Sequence, residues 1–320
     1  MQIQVKLAKM MMNLKPVQPR FDLTYPRTET FNHTIFKNAT QQEKIKILFK
    51  MALNHYLSDQ KKPFDLFFPS ISLRDSLQGK KILDLGCSCG GEAVSFAERW
   101  SVKSMYGLEV NNYFIQAANL FSQSRKNKTI KYNFTTGFAE DMPYDDASFD
   151  AIVNRDVFEH VRSLEEALSE CKRVLKPNGL MFSVFPSYYF PFGGAHLTYV
   201  TKTPFIQWFF SSEVLVRAYN EIISARGRKE TYWYTDLEKE EQDWKKLCGG
   251  IGINGTTIRD FIAKAKFSRV SFIPIPLLSV SDISVNHPNL KVATKFLEPL
   301  LHFKFLQDFF SHRIVTISTF

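Results

Sequence analysis

The chain has 320 residues, 44% hydrophobic and 23% charged, with a formal net charge of +9 and thirty phenylalanines. These proportions exclude a disordered, low-complexity or collagen-like chain, and the length suffices for a sizeable core. The lysines are scattered rather than gathered in a basic run, so the positive balance argues for general solubility before it argues for a nucleic-acid partner.

Residues 1–40 carry Pro16, Pro19 and Pro26 and read as irregular. In TQQEKIKILFKMALNHYL (40–57) apolar residues recur at helical spacing, as in a packing or lid helix. From residue 80 strand and helix signals alternate. KKILDLG is a short apolar strand, and GEAVSFAERW opens as a helix directly after glycines. VKSMYGLEV is a second strand, NNYFIQAANLFSQSR a helix capped by Asn111 or Asn112, TIKYNFTTG a third strand and SFDAIVNRD a fourth. SLEEALSECKRVL starts with a capping box, Ser163 and Glu166. PNG ends that helix, and LMFSVFP is the fifth strand. Residues 187–254 break the rhythm with Tyr, Trp, Phe and charge. TTIRDFIAKAKF resumes as a helix, SRVSFIPIP is a sixth strand and HRIVTISTF a seventh.

This alternation predicts an α/β fold: a doubly wound, seven-stranded, mostly parallel Rossmann-like sheet with helices on both faces and a helical insertion after strand five. The expected division is an extension and packing helix over 1–74, a binding core over 75–186, a helical, aromatic cap over 187–254, and completion of the sheet over 255–320. No apolar run reaches the length of a membrane span, and the first residues lack a signal peptide's sustained apolar core and cleavage site. Of the four cysteines, Cys87 and Cys89 stand too close for usual zinc spacing and no second pair follows. Reduced thiols in a cytoplasmic protein are expected, with any membrane contact peripheral.

The central motif is Gly86-Cys87-Ser88-Cys89-Gly90. It fits G-x-S-x-G, the nucleophile elbow of serine hydrolases, with Ser88 as nucleophile. It equally fits a glycine turn that cradles a nucleotide-like cofactor. Chain position favours the second reading. An elbow follows several strands, whereas this turn follows the first, whose carboxyl end lies near the topological switch point. Glu109 ends the second strand, where a carboxylate accepts hydrogen bonds from both ribose hydroxyls. The loop departs from the dinucleotide pattern G-x-G-x-x-G at Ser88. Asp84 puts negative charge where a pyrophosphate would sit. A cationic nucleoside such as S-adenosylmethionine suits that charge.

At these residues the chain resembles the class I S-adenosylmethionine-dependent methyltransferases, in the small-molecule branch that includes the quinone-biosynthesis enzymes. LDLGCSCG (83–90) resembles the family's first motif, and Glu109 its acidic residue after strand two. GFAEDMPYDDASFDAIVNRDVFEHV (137–161) resembles the stretch from the adenine contact through strand four, and RVLKPNGLMF (173–182) the next helix end and strand. The resemblance implies S-adenosyl-L-methionine as co-substrate, held by Asp84, Gly86, Ser88, Gly90, Glu109, Val110, Ala139, Glu140, Asn154 and Arg155. Phe138 stands where the family carries an adenine-binding aspartate, which shifts adenine recognition to the Ala139 backbone and Glu140.

The expected activity is methylation of a small molecule, at oxygen, by in-line displacement. His196, in PFGGAHLTYV, is the first candidate acid or base, with His160 and Tyr199 beside it. Arg155 holds either a substrate anion or a local carboxylate. Asp156, Glu159 and His160 match, through the resemblance, an arrangement that binds a divalent metal in some relatives. Glu-His-Val also recurs without one, and no metal is expected here. Two alternatives are a serine hydrolase using Ser88 and a non-catalytic cofactor-binding partner protein.

Overall fold

A computed structural model describes residues 1–16, 39–125, 129–190, 197, 200–225, 256–265, 269–276, 299–300, 303 and 306–319. The helices are α1 (Gln2–Met12), α2 (Gln41–Lys61), α3 (Leu73–Leu77), α4 (Gly91–Trp100), α5 (Asn112–Gln123), α6 (Leu164–Val174), α7 (Ile206–Phe209), α8 (Ser212–Ala225), α9 (Ile258–Lys264) and α10 (Gln307–Phe310). The strands are β1 (Lys81–Leu85), β2 (Ser104–Glu109), β3 (Lys131–Thr136), β4 (Phe149–Arg155), β5 (Leu175–Pro186), β6 (Arg269–Pro276) and β7 (Ser311–Thr319). Among the described residues these strands form one sheet in the order β3-β2-β1-β4-β5-β7-β6. Pairing is parallel from β3 to β5 and antiparallel where β7 enters between β5 and β6. This is the doubly wound, mostly parallel sheet that the sequence predicts. Strand order reverses between β1 and β4, which places a crevice at the carboxyl ends of those strands.

Period-two alternation in β1 divides its side chains between two cores. Ile82 joins Phe64, Phe96, Trp100 and Phe121 under α2, α4 and α5. Leu83 and Leu85 join Phe149, Phe158 and Phe261 under α6 and α9. Asp84 falls on the same side as Ile82, toward α2 and α4.

A capping box of Thr40 and Glu43 starts α2. Asp59 pins α2 to α4 by accepting hydrogen bonds from the Phe64 amide at 3.0 Å, from Ser95 Oγ at 2.6 Å and from Arg99. The indole Nε1 of Trp100 donates to Asp65 at 3.0 Å.

Two elements differ from expectation. Residues 2–12, read as irregular, are helical: Val5, Ala8 and Met12 recur at helical spacing and are buried against Val214, Leu215, Ala218 and Tyr219. Burying a side chain the size of Val5 or Met12 contributes about 1.5–3 kcal/mol. β5 begins at Leu175, before the turn residues PNG, because Leu175 already pairs with Phe149 and Asn178 takes a left-handed φ of 62°. Of the insertion, residues 206–225 supply α7 and α8, whereas residues 191–196, 198–199 and 226–255 lie outside the described residues.

Candidate active site

The turn between β1 and α4 is built from three left-handed residues: Gly86 at φ 76°, Ser88 at φ 49° and Gly90 at φ 78°. Glycine is required at 86 on a second ground, because a Cβ there would overlap Val157 Cγ2. At 90 a Cβ would lie 2.7 Å from the Ala118 Cβ. The turn is thus pressed between the segment after β4 and helix α5. The Gly86 and Cys87 amides both donate to the Leu108 carbonyl, at 2.8 and 3.0 Å, tying the turn to the end of β2.

Glu109, the last residue of β2, is oriented by backbone. Its Oε2 accepts from the Ser88 amide and its Oε1 from the Asn111 amide, each at 3.2 Å. Burial raises the pKa of this carboxyl, and the Asn111, Ser88 and Val110 amides partly offset that rise. Ser88 therefore contributes its amide. Its Oγ meets Cys89 Sγ at 3.8 Å, and among the described residues it hydrogen-bonds to no histidine that could serve as the base a nucleophile needs. The histidine near this turn is His55 of α2, whose Nδ1 lies 3.9 Å from Cys89 Sγ. Burial pushes Cys89 up to about 12 and pulls His55 down to about 4, so both are neutral and form no reactive ion pair.

Asp84 is 4% exposed, and no hydrogen bond to its carboxylate is found among the described residues. Its pKa is raised well above the usual carboxylate range, first by burial, then by Glu92, Glu109 and Asp59. A carboxylate held this way is electrostatically incomplete and favours a cation beside it.

A cleft of about 660 Å³, counting the solvent at its mouth, opens at the carboxyl ends of β1, β2 and β4. Gly86, Glu109, Val110, Ala139, Glu140 and His160, all expected as site residues, line it together. Leu85, Leu108, Val157 and Val161 supply apolar wall, and Arg162 lies over the Phe138 ring at 4.5 Å from its centroid. Sequence reasoning did not assign Val161 and Arg162. Val161 ends the FEHV stretch and Arg162 follows it, just before α6, and both line the cleft.

Glu140 is already engaged. Its Oε1 accepts from the Arg162 amide at 2.6 Å and the Ser163 amide at 3.3 Å, at the start of α6. Glu140→Gln is expected to lower stability by about 0.5–2 kcal/mol, as loss of a helix cap does, while ligand affinity changes little. Urea unfolding and calorimetry on the same preparation check this. An affinity loss at unchanged stability would return Glu140 to direct ligand contact.

His160 lines the cleft with its side chain 28% exposed, and Glu159 Oε1 lies 3.8 Å from its Nε2. Glu159 is 2% exposed, and neither of its carboxyl oxygens has a hydrogen-bond partner among the described residues. Burial and the neighbouring Asp156 push its pKa well up. Asp156, at φ 58°, is ion-paired to Arg313. Among the described residues no three His, Cys, Asp or Glu side chains are grouped to hold a metal ion.

Of the other expected site residues, Asp84, Ser88 and Gly90 belong to the glycine turn and the strand before it and do not line the cleft. Asn154 is buried between β4 and β5, its Nδ2 donating to Ser183 Oγ at 2.9 Å, and it does not line the cleft. Arg155 is also absent from the cleft lining. It pairs with Glu92 at 3.0 Å, which is the local-carboxylate alternative. His196 and Tyr199 lie outside the described residues.

The sheet order, the glycine turn and the carboxylate ending β2 coincide with a family assignment. Residues 83–183 match the family model described as a methyltransferase domain. A sterol 24-C-methyltransferase of Gibberella zeae is 36% identical over 107 residues, 33% of this chain and 27% of the relative. A fatty-acid O-methyltransferase of Mycolicibacterium smegmatis is 29% identical over 112 residues, 35% of this chain and 39% of the relative. The match thus spans well under half the length of either relative. The solved structure of phosphoethanolamine N-methyltransferase 2 from Haemonchus contortus, in complex with S-adenosyl-L-methionine, superposes with a TM-score of 0.43 at 15% identity, covering 89% of this chain and 59% of that one.

Proposed function

We propose that the chain transfers the methyl group of S-adenosylmethionine to a small, apolar acceptor, at oxygen, by in-line displacement. The observation that carries this reading is the pair of carboxylates flanking one glycine turn: Asp84, buried with no donor among the described residues, and Glu109, held by two amides and lining the cleft. The donor set fits the co-substrate on both counts. Asp84 offers an incomplete negative charge to an ammonium, and Glu109 offers carboxylate oxygens to ribose hydroxyls. Leu85, Leu108 and Val161 would flank the adenine, with Phe138 and Arg162 at its edge. When bound, S-adenosylmethionine supplies a methyl carbon activated by its sulfonium.

The chain's own work is then positioning, which in favourable intramolecular models contributes ~7–11 kcal/mol. An oxygen acceptor must also lose a proton. His160 lines the cleft and can accept it, with the buried Glu159 carboxyl 3.8 Å from its Nε2. From the sequence alone, His196 and Tyr199 are proposed as further acid or base groups toward the acceptor, and residues 187–254 as its cap. A carbon acceptor is the second reading, favoured by the match to a sterol 24-C-methyltransferase.

The test uses donor carrying a labelled methyl group, lipid and hydrophilic metabolite extracts, and product analysis. Label entering an apolar product supports the proposal. Release of that label by mild base marks an ester, and label that resists ester and ether cleavage marks carbon. Label confined to hydrophilic products, nucleic acid or protein would contradict the apolar acceptor. Glu109→Ala is expected to weaken S-adenosylhomocysteine binding by ~1–3 kcal/mol through loss of charge-assisted hydrogen bonds. Calorimetry on the folded variant checks it, and an unchanged affinity removes Glu109 from the site.

A further inference from the structure

Helix α1 is apolar on two opposite faces. Its inner face is Val5, Ala8 and Met12, buried against α8. Ile3, Leu7 and Met10 lie on the other side, followed by Leu14 just beyond the helix end. They are 74%, 45%, 61% and 67% exposed. Residues at this spacing share one stripe on a helix, and a helix resting on a globular core ordinarily turns a polar face outward there. The stripe is fringed by positive charge. Lys6 and Lys15 are exposed, and the backbone of Lys15 accepts a hydrogen bond at 2.8 Å from the amide of Lys202, itself exposed. No Asp or Glu occurs in residues 1–21. Lys9 is paired with Glu221 of α8 at 2.6 Å, so the fringe consists of Lys6, Lys15 and Lys202.

We infer that the outer face of α1 is a docking surface for an anionic lipid bilayer, with Ile3, Leu7, Met10 and Leu14 entering the headgroup–acyl boundary. An apolar stripe bordered by lysines is what such an interface recognises: buried apolar area and attraction to acidic headgroups act together. Charge decides between a bilayer and a second copy of the chain. A self-complementary pairing of this face would set the lysine fringe of one copy against that of the other, without acids from residues 1–21 to compensate. The helix is too short and too charged to cross the membrane, and among the described residues no helix is long and apolar enough to do so. The inference stands apart from the cofactor site, and its assay contains no methyl donor.

The test is flotation of the full chain with vesicles of phosphatidylcholine alone and of phosphatidylcholine mixed with phosphatidylglycerol. The wild type is expected to float with the mixed vesicles at low salt and to be released as salt rises. The triple variant Ile3→Gln/Leu7→Gln/Met10→Gln is expected to lose binding by about tenfold or more, with an unchanged melting temperature because these side chains face outward. Wild type that stays with the vesicle-free fraction at low salt overturns the inference. So does a triple variant that floats as well as wild type, or equal, salt-insensitive binding to both vesicle types. Light scattering that finds a dimer which the triple variant breaks assigns the face to a second copy and also overturns it.

Discussion

Asp84→Asn is expected to raise the melting temperature of the free chain at neutral pH and to weaken S-adenosylmethionine binding by roughly two to four orders of magnitude. Both effects follow from a carboxyl that is buried, close to Glu92, Glu109 and Asp59, and without a donor among the described residues. Its folded pKa lies well above the value in the unfolded chain. The native state therefore holds the proton more tightly. The stability this gives is full below the unfolded carboxylate range and is lost as pH rises through the folded value. Asparagine never ionises, so its advantage over the wild type opens with rising pH and closes in acid. Binding responds in the opposite sense. A ligand ammonium would complete the wild-type site, and removing one partner of a buried ion pair costs ~3–5 kcal/mol. Melting curves across pH, paired with calorimetry at neutral pH, read both signs. A lower melting temperature with undiminished affinity would mean that Asp84 serves the sheet and not a ligand.

Gly91→Ala is expected to destabilise the chain by about 3 kcal/mol, the upper part of the range for overpacking a core. A Cβ at position 91 would overlap the carbonyl oxygen of Ala52 and lie 2.8 Å from its carbonyl carbon and 2.9 Å from the His55 Cβ. The obstacle is mostly backbone, in the middle of α2, so no side chain can swing aside. The helix must retreat from the start of α4, loosening the Asp59–Ser95–Arg99 hydrogen bonds that join the two helices. The glycine turn would lose its support, and ligand affinity should fall with stability. Urea unfolding checks this. An unfolding free energy within about 0.5 kcal/mol of wild type, the usual spread for surface changes, would show that α2 does not rest on the turn.

Much of this architecture was legible because the relevant residues carry strong local signals. KILDL is a compact apolar strand, and the glycines after it allow the left-handed turn. Glu109 marks a strand end by being charged after an apolar run. Sequence pattern leaves open which of two geometries a residue serves. Glu140 beside Ala139 reads as a ligand contact, yet its carboxylate caps α6; alternation along a loop cannot show which way it turns. Asn154 and Arg155 follow Val153 toward the carboxyl end of β4, where ligands bind, but Ser183 and Glu92 engage them first. α1 escaped notice because apolar residues on both faces leave no polar stripe for the helical period to reveal, and Met1 provides no side-chain cap. The serine of the elbow motif was ambiguous until its neighbours were placed. Its amide orients Glu109, and no histidine accompanies its hydroxyl among the described residues.

The central claim is that the turn between Asp84 and Glu109 holds S-adenosylmethionine. Equilibrium dialysis of the intact chain with labelled S-adenosylmethionine tests it most directly. The account predicts saturable binding of one equivalent per chain, displaced by S-adenosylhomocysteine and lost in Asp84→Asn. A chain that melts cooperatively, and is therefore folded, yet retains no label at any concentration would contradict it.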